Sequence, residues 1–469
     1  MTEIKTKLVR CKICGEIFDS SLEKCPVCNA GPEFFEPVED SGSGFSADTQ
    51  QRYFILGSGP AAVNAAEAIR KRDATGNILI LSEEEVLPYN RPMLTKNMFS
   101  EPQQDKFAIH DKKWYEERNI QLLLGRRVES INTETKEIKT EDGLTFSYDK
   151  CIYTLGAHFF IPPFRGRDAE NVTGIRTIAD IEKLSSYRGP GKKAGVIGGG
   201  VTGLEAAWEL KKAGFDTYVF DSAPSLMANK LDPTASALLM EIFESEGVHI
   251  VTSADTEACE DGKVKLKDGR EYEADLVIVS CGVRANKAVA EAAGIKTDRA
   301  VIVNERMETS APGVYAAGDC AEFEGVNYAL WPEASRQGEV AGANAAGDVS
   351  VLFKGEAYGM TMDVANTMLY SIGTASGDKP EKTKEFLDEE KKTLRKFFFI
   401  GGKLCGATLI GDITEMSEVS DMVAENKPYS EMFEDKKKEI SPPRAERSPF
   451  HFSKYDFNSE SAAGYNNCH

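Results

Sequence analysis

The apolar positions fall into short runs separated by glycine turns and amphipathic stretches, and one such arrangement occurs twice. "RYFILGSGPAAVNAAEAIRKR" starts at residue 52 and "KKAGVIGGGVTGLEAAWELKKAG" at residue 192. Each reads as an apolar strand, a glycine turn and a helix with a 3.6-residue hydrophobic period. Continuous apolar strands alternating with helices predict parallel sheets covered on both faces, an α/β fold. "KEIKTEDGLTFSYDKCIYTLGA" predicts a hairpin leading into a buried strand, and "GKVKLKDGREYEADLVIVSCGV" repeats that design after the second unit. "METSAPGVYAAGDCAEF" predicts one more strand ending at a glycine turn. Beyond residue 353 the pattern changes, and "TLRKFFFIGGKLCGATLIGD" predicts two antiparallel strands about a Gly-Gly turn.

A chain of 469 residues exceeds a single core, so several folding units are expected. The pattern divides them into a small cysteine-bearing unit (1–38), a Ser/Gly/Asp-rich flexible linker (39–51), a first dinucleotide-binding domain (52–158 with 275–352), a second (159–274) and a C-terminal α+β interface domain (353–436). Residues 437–469, rich in Ser, Pro, Asn and Arg, are expected to form a flexible tail. A net charge of −19 speaks against nucleic acid, whose phosphates call for clustered Lys and Arg. No apolar run reaches the roughly 18 residues that a membrane span requires. The opening "MTEIKTKLVRCK" lacks the apolar middle of a signal peptide, so the expected location is the cytoplasm.

The glycine turns carry the first chemistry. In "GSGPAA", Gly57 permits a tight turn and Gly59 lets backbone approach a pyrophosphate, with Ala61 and Ala62 starting a helix close to the strand. The helix N-terminus offers unpaired N–H groups to phosphate oxygens. The second strand, "NILILSEE", ends in Glu83 and Glu84, either placed for ribose hydroxyls, with Glu83 preferred. "VIGGGVTG" supplies Gly198, Gly200 and Gly203 in full spacing, and "TYVFD" ends in Asp221. A carboxylate there favours a free 2′-hydroxyl over a 2′-phosphate, hence NADH over NADPH. Gly282, where the second copy's buried strand ends, joins the candidate cofactor contacts. A nicotinamide needs a hydride acceptor, so the duplication predicts FAD in the first unit and NADH in the second.

On these residues the chain resembles the two-dinucleotide-domain FAD/NAD(P)H flavoproteins over about residues 52–435. "LPYNRPMLTK" resembles the Tyr-x-Arg-Pro-x-x-Ser/Thr-Lys segment of the ferredoxin- and rubredoxin-reductase branch, and "VYAAGDCA" the Ala-x-Gly-Asp motif. The resemblance implies cofactor contacts for Arg91, Lys96 and Asp319, with Val128 near the adenine and Trp331 beside the isoalloxazine. It also implies that Glu205, in "GGGVTGLE", pairs with Lys96 near flavin N5, the two being the catalytic candidates. One departure stands out: relatives read Ala-Thr-Gly-x-x-Pro where this chain has "TLGAHFF", keeping Gly156 and placing His158 where some carry arginine.

Disulfide reductases of this group set cysteines against the flavin, and neither Rossmann unit here contains a Cys-x-x-x-x-Cys or Cys-x-x-Cys pair. The isolated Cys151, Cys259, Cys281, Cys320 and Cys405 read as small buried hydrophobes. The remaining feature is "CKICGEIFDSSLEKCPVC", in which Cys11, Cys14, Cys25 and Cys28 form two Cys-x-x-Cys pairs. Four thiolates suit a tetrahedral iron or zinc site. "LVRCKICGEIFDSSLEKCPVCNAGPEFFEPVE" resembles the rubredoxin-like module of rubrerythrins, which implies a single iron ion held by four cysteine thiolates. Joined to the flavoprotein, the chain resembles the NADH:rubredoxin oxidoreductases with a rubredoxin-type unit attached. The expected path runs from NADH through FAD to the iron and on to a one-electron acceptor: a rubredoxin, or a peroxide-, superoxide- or oxygen-reducing metalloprotein. Two alternatives stay open, an NADH oxidase or diaphorase whose four-cysteine unit holds structural zinc for docking, and a sensor that binds both nucleotides without turnover.

Overall fold

The structure is a computed structural model that describes residues 8–11, 17–23, 25, 31–37, 44–99, 107–189, 191–355, 359–373 and 380–429. Cys14, Cys28 and the expected tail at 437–469 therefore lie outside the described residues.

Two five-stranded parallel sheets form the centre, one for each repeat. In the first, Arg52–Leu56 lies between Lys150–Tyr153 and Asn77–Leu81, with Ile120–Leu123 and Val314–Ala316 at the edges. In the second, Lys193–Ile197 lies between Leu276–Val279 and Asp216–Phe220, with Val172–Thr173 and His249–Val251 at the edges. Strands such as "LVIV" at 276–279 are buried along their whole length, as helices on both faces require. Both predicted hairpins form: Glu137–Thr140 with Thr145–Ser147, and Lys263–Leu266 with Glu271–Glu273.

The first sheet takes its edge strand Val314–Ala316 from beyond the second sheet, so the chain crosses between them twice. Ala157–Phe159 and Val283–Ala285 are the two crossings, and they pair with each other as an antiparallel ribbon. Helix Trp331–Ala345 then returns to the first unit and packs on helix Pro60–Arg72. Their approach needs glycine: a Cβ on Gly338 would stand 2.2 Å from the Ala61 carbonyl oxygen, and one on Gly342 2.3 Å from that of Ala65.

The C-terminal region is a five-stranded sheet with helix Met416–Ala424. Thr393–Ile400 and Lys403–Ile410 pair about Gly401 and Gly402, whose φ values of +56° and +74° explain the Gly-Gly turn. Buried Lys396 in this sheet bonds Asp232 and lies 2.5 Å from Glu385, fastening the sheet to the N-terminus of helix Pro233–Ser245.

Residues 8–37 include a three-stranded antiparallel sheet, Ile17–Asp19, Leu8–Cys11 and Phe35–Pro37. Of the linker, the described part is fastened to the first unit. The Ala47 N–H donates to the Arg72 carbonyl, Thr49 N–H to Asp73 Oδ1 at 3.1 Å, and Thr75 Oγ1 to the Thr49 carbonyl at 2.7 Å. No helix among the described residues is long and apolar enough to cross a membrane.

Candidate functional site

Each glycine turn is built by steric exclusion. Gly57 has φ +110° and Gly198 φ +108°; a Cβ on either would lie 2.2 Å from the Thr154 carbonyl oxygen or 2.3 Å from that of Ser280. Gly203, one helical turn further on, lies where a Cβ would stand 2.0 Å from the Gly198 carbonyl oxygen. Gly59 and Gly200 differ from these three. They are the N-cap residues of helices Pro60–Arg72 and Val201–Lys212, have no side-chain cap, and a Cβ on either would meet nothing within 4 Å. Open space over an uncapped helix N-terminus is what a dinucleotide pyrophosphate requires, so the residues fit FAD at the first turn and NADH at the second. Ala61 and Ala62 are buried at the start of the first helix.

Beside the first turn lies a chain of ion pairs that only partly matches expectation. Glu83 is exposed, with Arg127 Nε 3.5 Å away. Glu84 is half-buried; it accepts from Arg91 Nη2 at 2.5 Å and from the Tyr89 hydroxyl at 2.7 Å. Burial holds the Tyr89 phenol above its ordinary range, so it remains a donor. Arg91 Nη1 donates to the Arg176 carbonyl at 2.7 Å, and Arg176 Nη2 donates to Asp319 Oδ2 at 2.6 Å. Asp319 thus already holds an arginine that the sequence reading did not single out. Arg176 also passes 3.6 Å from where a Cβ of Gly156 would be. Gln337, buried in helix Trp331–Ala345, is a second omission; its Oε1 accepts from the Gly318 N–H at 2.8 Å and fixes the turn bearing Asp319.

Lys96 ends the short helix Met93–Lys96, which packs on Val201–Lys212 and so approaches Glu205. The two are electrostatic neighbours without direct contact, since no N···O distance of 4 Å or less joins them. Glu205 Oε2 instead accepts from Thr95 Oγ1 at 2.7 Å. Burial raises the proton affinity of Glu205, the Lys96 charge and the Thr95 bond lower it, and Asp363 raises it again. One helical turn on, Glu209 pairs with Lys212 at 2.6 Å. Neither the Thr95 bond, across 110 residues, nor the Asp363 charge, from further along the chain, leaves a spacing signal in the sequence.

At the second turn, Asp221 Oδ2 accepts from the Gly199 N–H and Oδ1 from the Ala223 N–H, both at 2.8 Å. That orientation holds the carboxylate against the glycine loop. Gly282, with φ +88°, lies beside the ribbon, where its carbonyl accepts from the Phe160 N–H at 2.9 Å. His158 is exposed on the ribbon and bonded to Asn286 Oδ1 at 2.7 Å. Val128 is buried on strand Val128–Asn132, and Trp331 is half-buried at the first position of its helix.

The thiols within the nucleotide units are unsuited to nucleophilic work. Burial pushes Cys320 and Cys259 up to about 12 and Cys281 to about 11, and raises Cys151 further. Cys11 and Cys25 are buried in the N-terminal unit. Among the described residues no cluster of three or more His, Cys, Asp or Glu is placed to hold a metal, and two of the four proposed ligands are not among them.

Two parallel-sheet nucleotide units with glycine-turn helices, joined by a paired ribbon, define an FAD- and nicotinamide-binding oxidoreductase fold. Residues 51–338 match the family model described as pyridine nucleotide-disulphide oxidoreductase, and 360–427 match the rubredoxin NAD+ reductase C-terminal domain. The chain belongs to the pyridine nucleotide-disulphide oxidoreductase family. Among curated relatives, an assimilatory nitrate reductase electron transfer subunit of Bacillus subtilis is 32% identical over 81% of this chain and 50% of its own length. An NADH oxidase of Methanocaldococcus jannaschii is 35% identical over 63% of this chain and 70% of its own. The chain spans about half the length of the first three curated relatives it matches, 45–50% of each. Among solved structures, NADH:rubredoxin oxidoreductase from Clostridium acetobutylicum superposes with TM-score 0.69 at 26% identity, covering 81% of this chain and 97% of that one. A covalent putidaredoxin reductase–putidaredoxin complex gives TM-score 0.75 at 25% identity, covering 81% and 94%.

Proposed function

We propose that this chain is an NADH-dependent FAD reductase that passes electrons through a fused iron–tetrathiolate unit to a one-electron acceptor protein, a rubredoxin or a similar metalloprotein. The observation that carries the reading is the pair of uncapped helix N-termini with open space over Gly59 and Gly200, one in each parallel sheet. The C-terminal domain match and the likeness to a rubredoxin oxidoreductase support the acceptor class.

Gly57, Gly59, Ala61 and Ala62 would hold the FAD pyrophosphate, and exposed Glu83 would offer its carboxylate to the ribose. Glu84 is committed to orienting Arg91. Val128 would lie near the adenine, Asp319, held by Arg176, would bond the ribityl chain, and Trp331 would lie beside the isoalloxazine. Gly200 would face the NADH pyrophosphate on the turn that Gly198 and Gly203 shape, Asp221 would take its ribose, and Gly282 would join the cofactor contacts. When bound, FAD supplies hydride acceptance from NADH and release of electrons one at a time. Lys96 would contribute a positive charge where negative charge arrives with hydride, and the Glu205 carboxylate acts on that lysine through its charge alone. The high proton affinity of the buried thiols argues against a cysteine relay, and the front-end unit is the outlet of this reading. Cys11, Cys14, Cys25 and Cys28 would hold the iron, which supplies a one-electron ferric/ferrous couple.

The test is anaerobic stopped-flow mixing of the purified holoprotein with NADH, following flavin and metal absorbance together. The expected result is loss of flavin absorbance followed by bleaching of the ferric thiolate band. Complete flavin reduction with an unchanging metal signal refutes the fused outlet, and protein from its native host containing zinc alone refutes the iron.

A further inference from the structure

The outer face of the C-terminal sheet is covered by more than its own helix. The strands sort their apolar residues by parity: Leu369, Leu394 and Ile410 join the core of the second nucleotide unit, while Tyr370, Phe397 and Leu409 point the other way. Those outward residues are still buried, with exposures of 1%, 2% and 0%. Helix Met416–Ala424 supplies Met416 and Val419 to that face. Helix Met416–Ala424 has 9 residues and is about 14 Å long, whereas the 8-residue strands Thr393–Ile400 and Lys403–Ile410 each run about 27 Å. One helix therefore cannot bury the face alone.

Val9, Cys11, Phe18 and Cys25 complete the cover: they lie in the same contiguous buried cluster as Tyr370, Phe397 and Leu409. Phe34 and Phe35 pack at its margin, Phe35 meeting Phe18 edge-on with ring centroids 4.8 Å apart. Trp331 packs against this cluster too, at the start of the helix that runs back along the first nucleotide unit. The linker is fastened to that unit from Ala47 onward, which leaves only a short span between Pro37 and its anchor.

We infer that the N-terminal unit, through its described residues between 8 and 37, is a resident occupant of the outer face of the C-terminal sheet, seated there by apolar contact beside Trp331 instead of ranging freely on a tether. The seat rests on the packing itself; its use as an electron outlet rests on the function proposed above. Seating in cis makes transfer to this unit independent of protein concentration, and an external acceptor meets a unit already in place. Since the contact is apolar, high salt leaves it intact, unlike a charge-steered encounter.

A site-specific protease sequence introduced within residues 38–43 of the full holoprotein tests this. After native cleavage, the N-terminal fragment is expected to co-elute with the remainder in gel filtration at both low and about 1 M salt. Separation of the fragments at both salts overturns the seat. Hydrogen exchange gives a second measure on the uncut chain. Phe18→Asp is expected to speed exchange in Lys403–Ile410 and Met416–Ala424 by about tenfold or more, because loss of cover lowers the local opening energy. Unchanged exchange in both segments overturns the inference. NADH bleaching of the cut protein reads the reductase separately: co-elution without flavin reduction keeps the seat and defeats the proposed function, and flavin reduction by separated fragments does the reverse.

Discussion

Glu205, proposed to act beside the flavin, carries an electrostatic cost. Burial is the largest influence on its carboxyl and raises its proton affinity; Lys96 and Thr95 pull it back and Asp363 pushes it up again, leaving it above the ordinary value of 4.5. The folded protein therefore binds a proton here more tightly than the unfolded chain does. Stability from this group is fully present below pH 4.5 and is lost as pH rises through the raised value. Glu205→Gln keeps an acceptor for Thr95 and removes the charge. Thermal melts of the variant are expected to match the parent at pH 4 and to show a higher midpoint at pH 8. A variant less stable than the parent at pH 8 would show that attraction to Lys96 outweighs burial. The same residue shows the limit of sequence reading. "GGGVTGLE" placed Glu205 and "RPMLTK" placed Lys96 near each other, but Thr95 takes the hydrogen bond. Asp319 was legible from its glycine motif, whereas Arg176, 143 residues away in the chain, was not.

Among elements, the packed helices Pro60–Arg72 and Trp331–Ala345 make opposite demands on Gly59 and Gly338, and an alanine substitution at each separates them. Gly59→Ala adds a Cβ into open space at φ −79°, so the apoprotein is expected to lose no more than the roughly 1 kcal/mol that alanine costs at a helix N-cap. That space is where the pyrophosphate would lie, so FAD retention after desalting is expected to fall sharply. Gly338→Ala forces a Cβ to 2.2 Å from the Ala61 carbonyl oxygen and is expected to cost about 1–3 kcal/mol by denaturant melt, with or without cofactor. Equal stability loss in both variants would make Gly59 a packing glycine. These turns and both hairpins could be read from the sequence because their determinants are local: positive φ at Gly57, Gly198, Gly401 and Gly402 is required within a few residues. The close packing of helices Pro60–Arg72 and Trp331–Ala345 could not. Gly338 and Gly342 look like ordinary helix interior until the distant partner is known.

For the whole molecule, the outcome depends on chain order. The second sheet is assembled from segments between Val172 and Val279, a contiguous stretch. The first needs Val314–Ala316 against Lys150–Tyr153, so its edge strand arrives only after the second sheet is complete. A chain ending at residue 300 is therefore expected to protect the 172–279 region in limited proteolysis while Cys151 becomes accessible to thiol reagents. An equally protected Cys151 in that shortened chain would show that the first sheet closes without its edge strand.

During synthesis at about 5–20 residues per second, the half-built first sheet emerges early and stays open along the Lys150–Tyr153 side for roughly 8–30 seconds. The nucleotide unit made first is thus the later of the two to mature. The crossing ribbon, Ala157–Phe159 against Val283–Ala285, then acts as a staple between early and late synthesis, bringing the late strand to the edge that has been waiting for it.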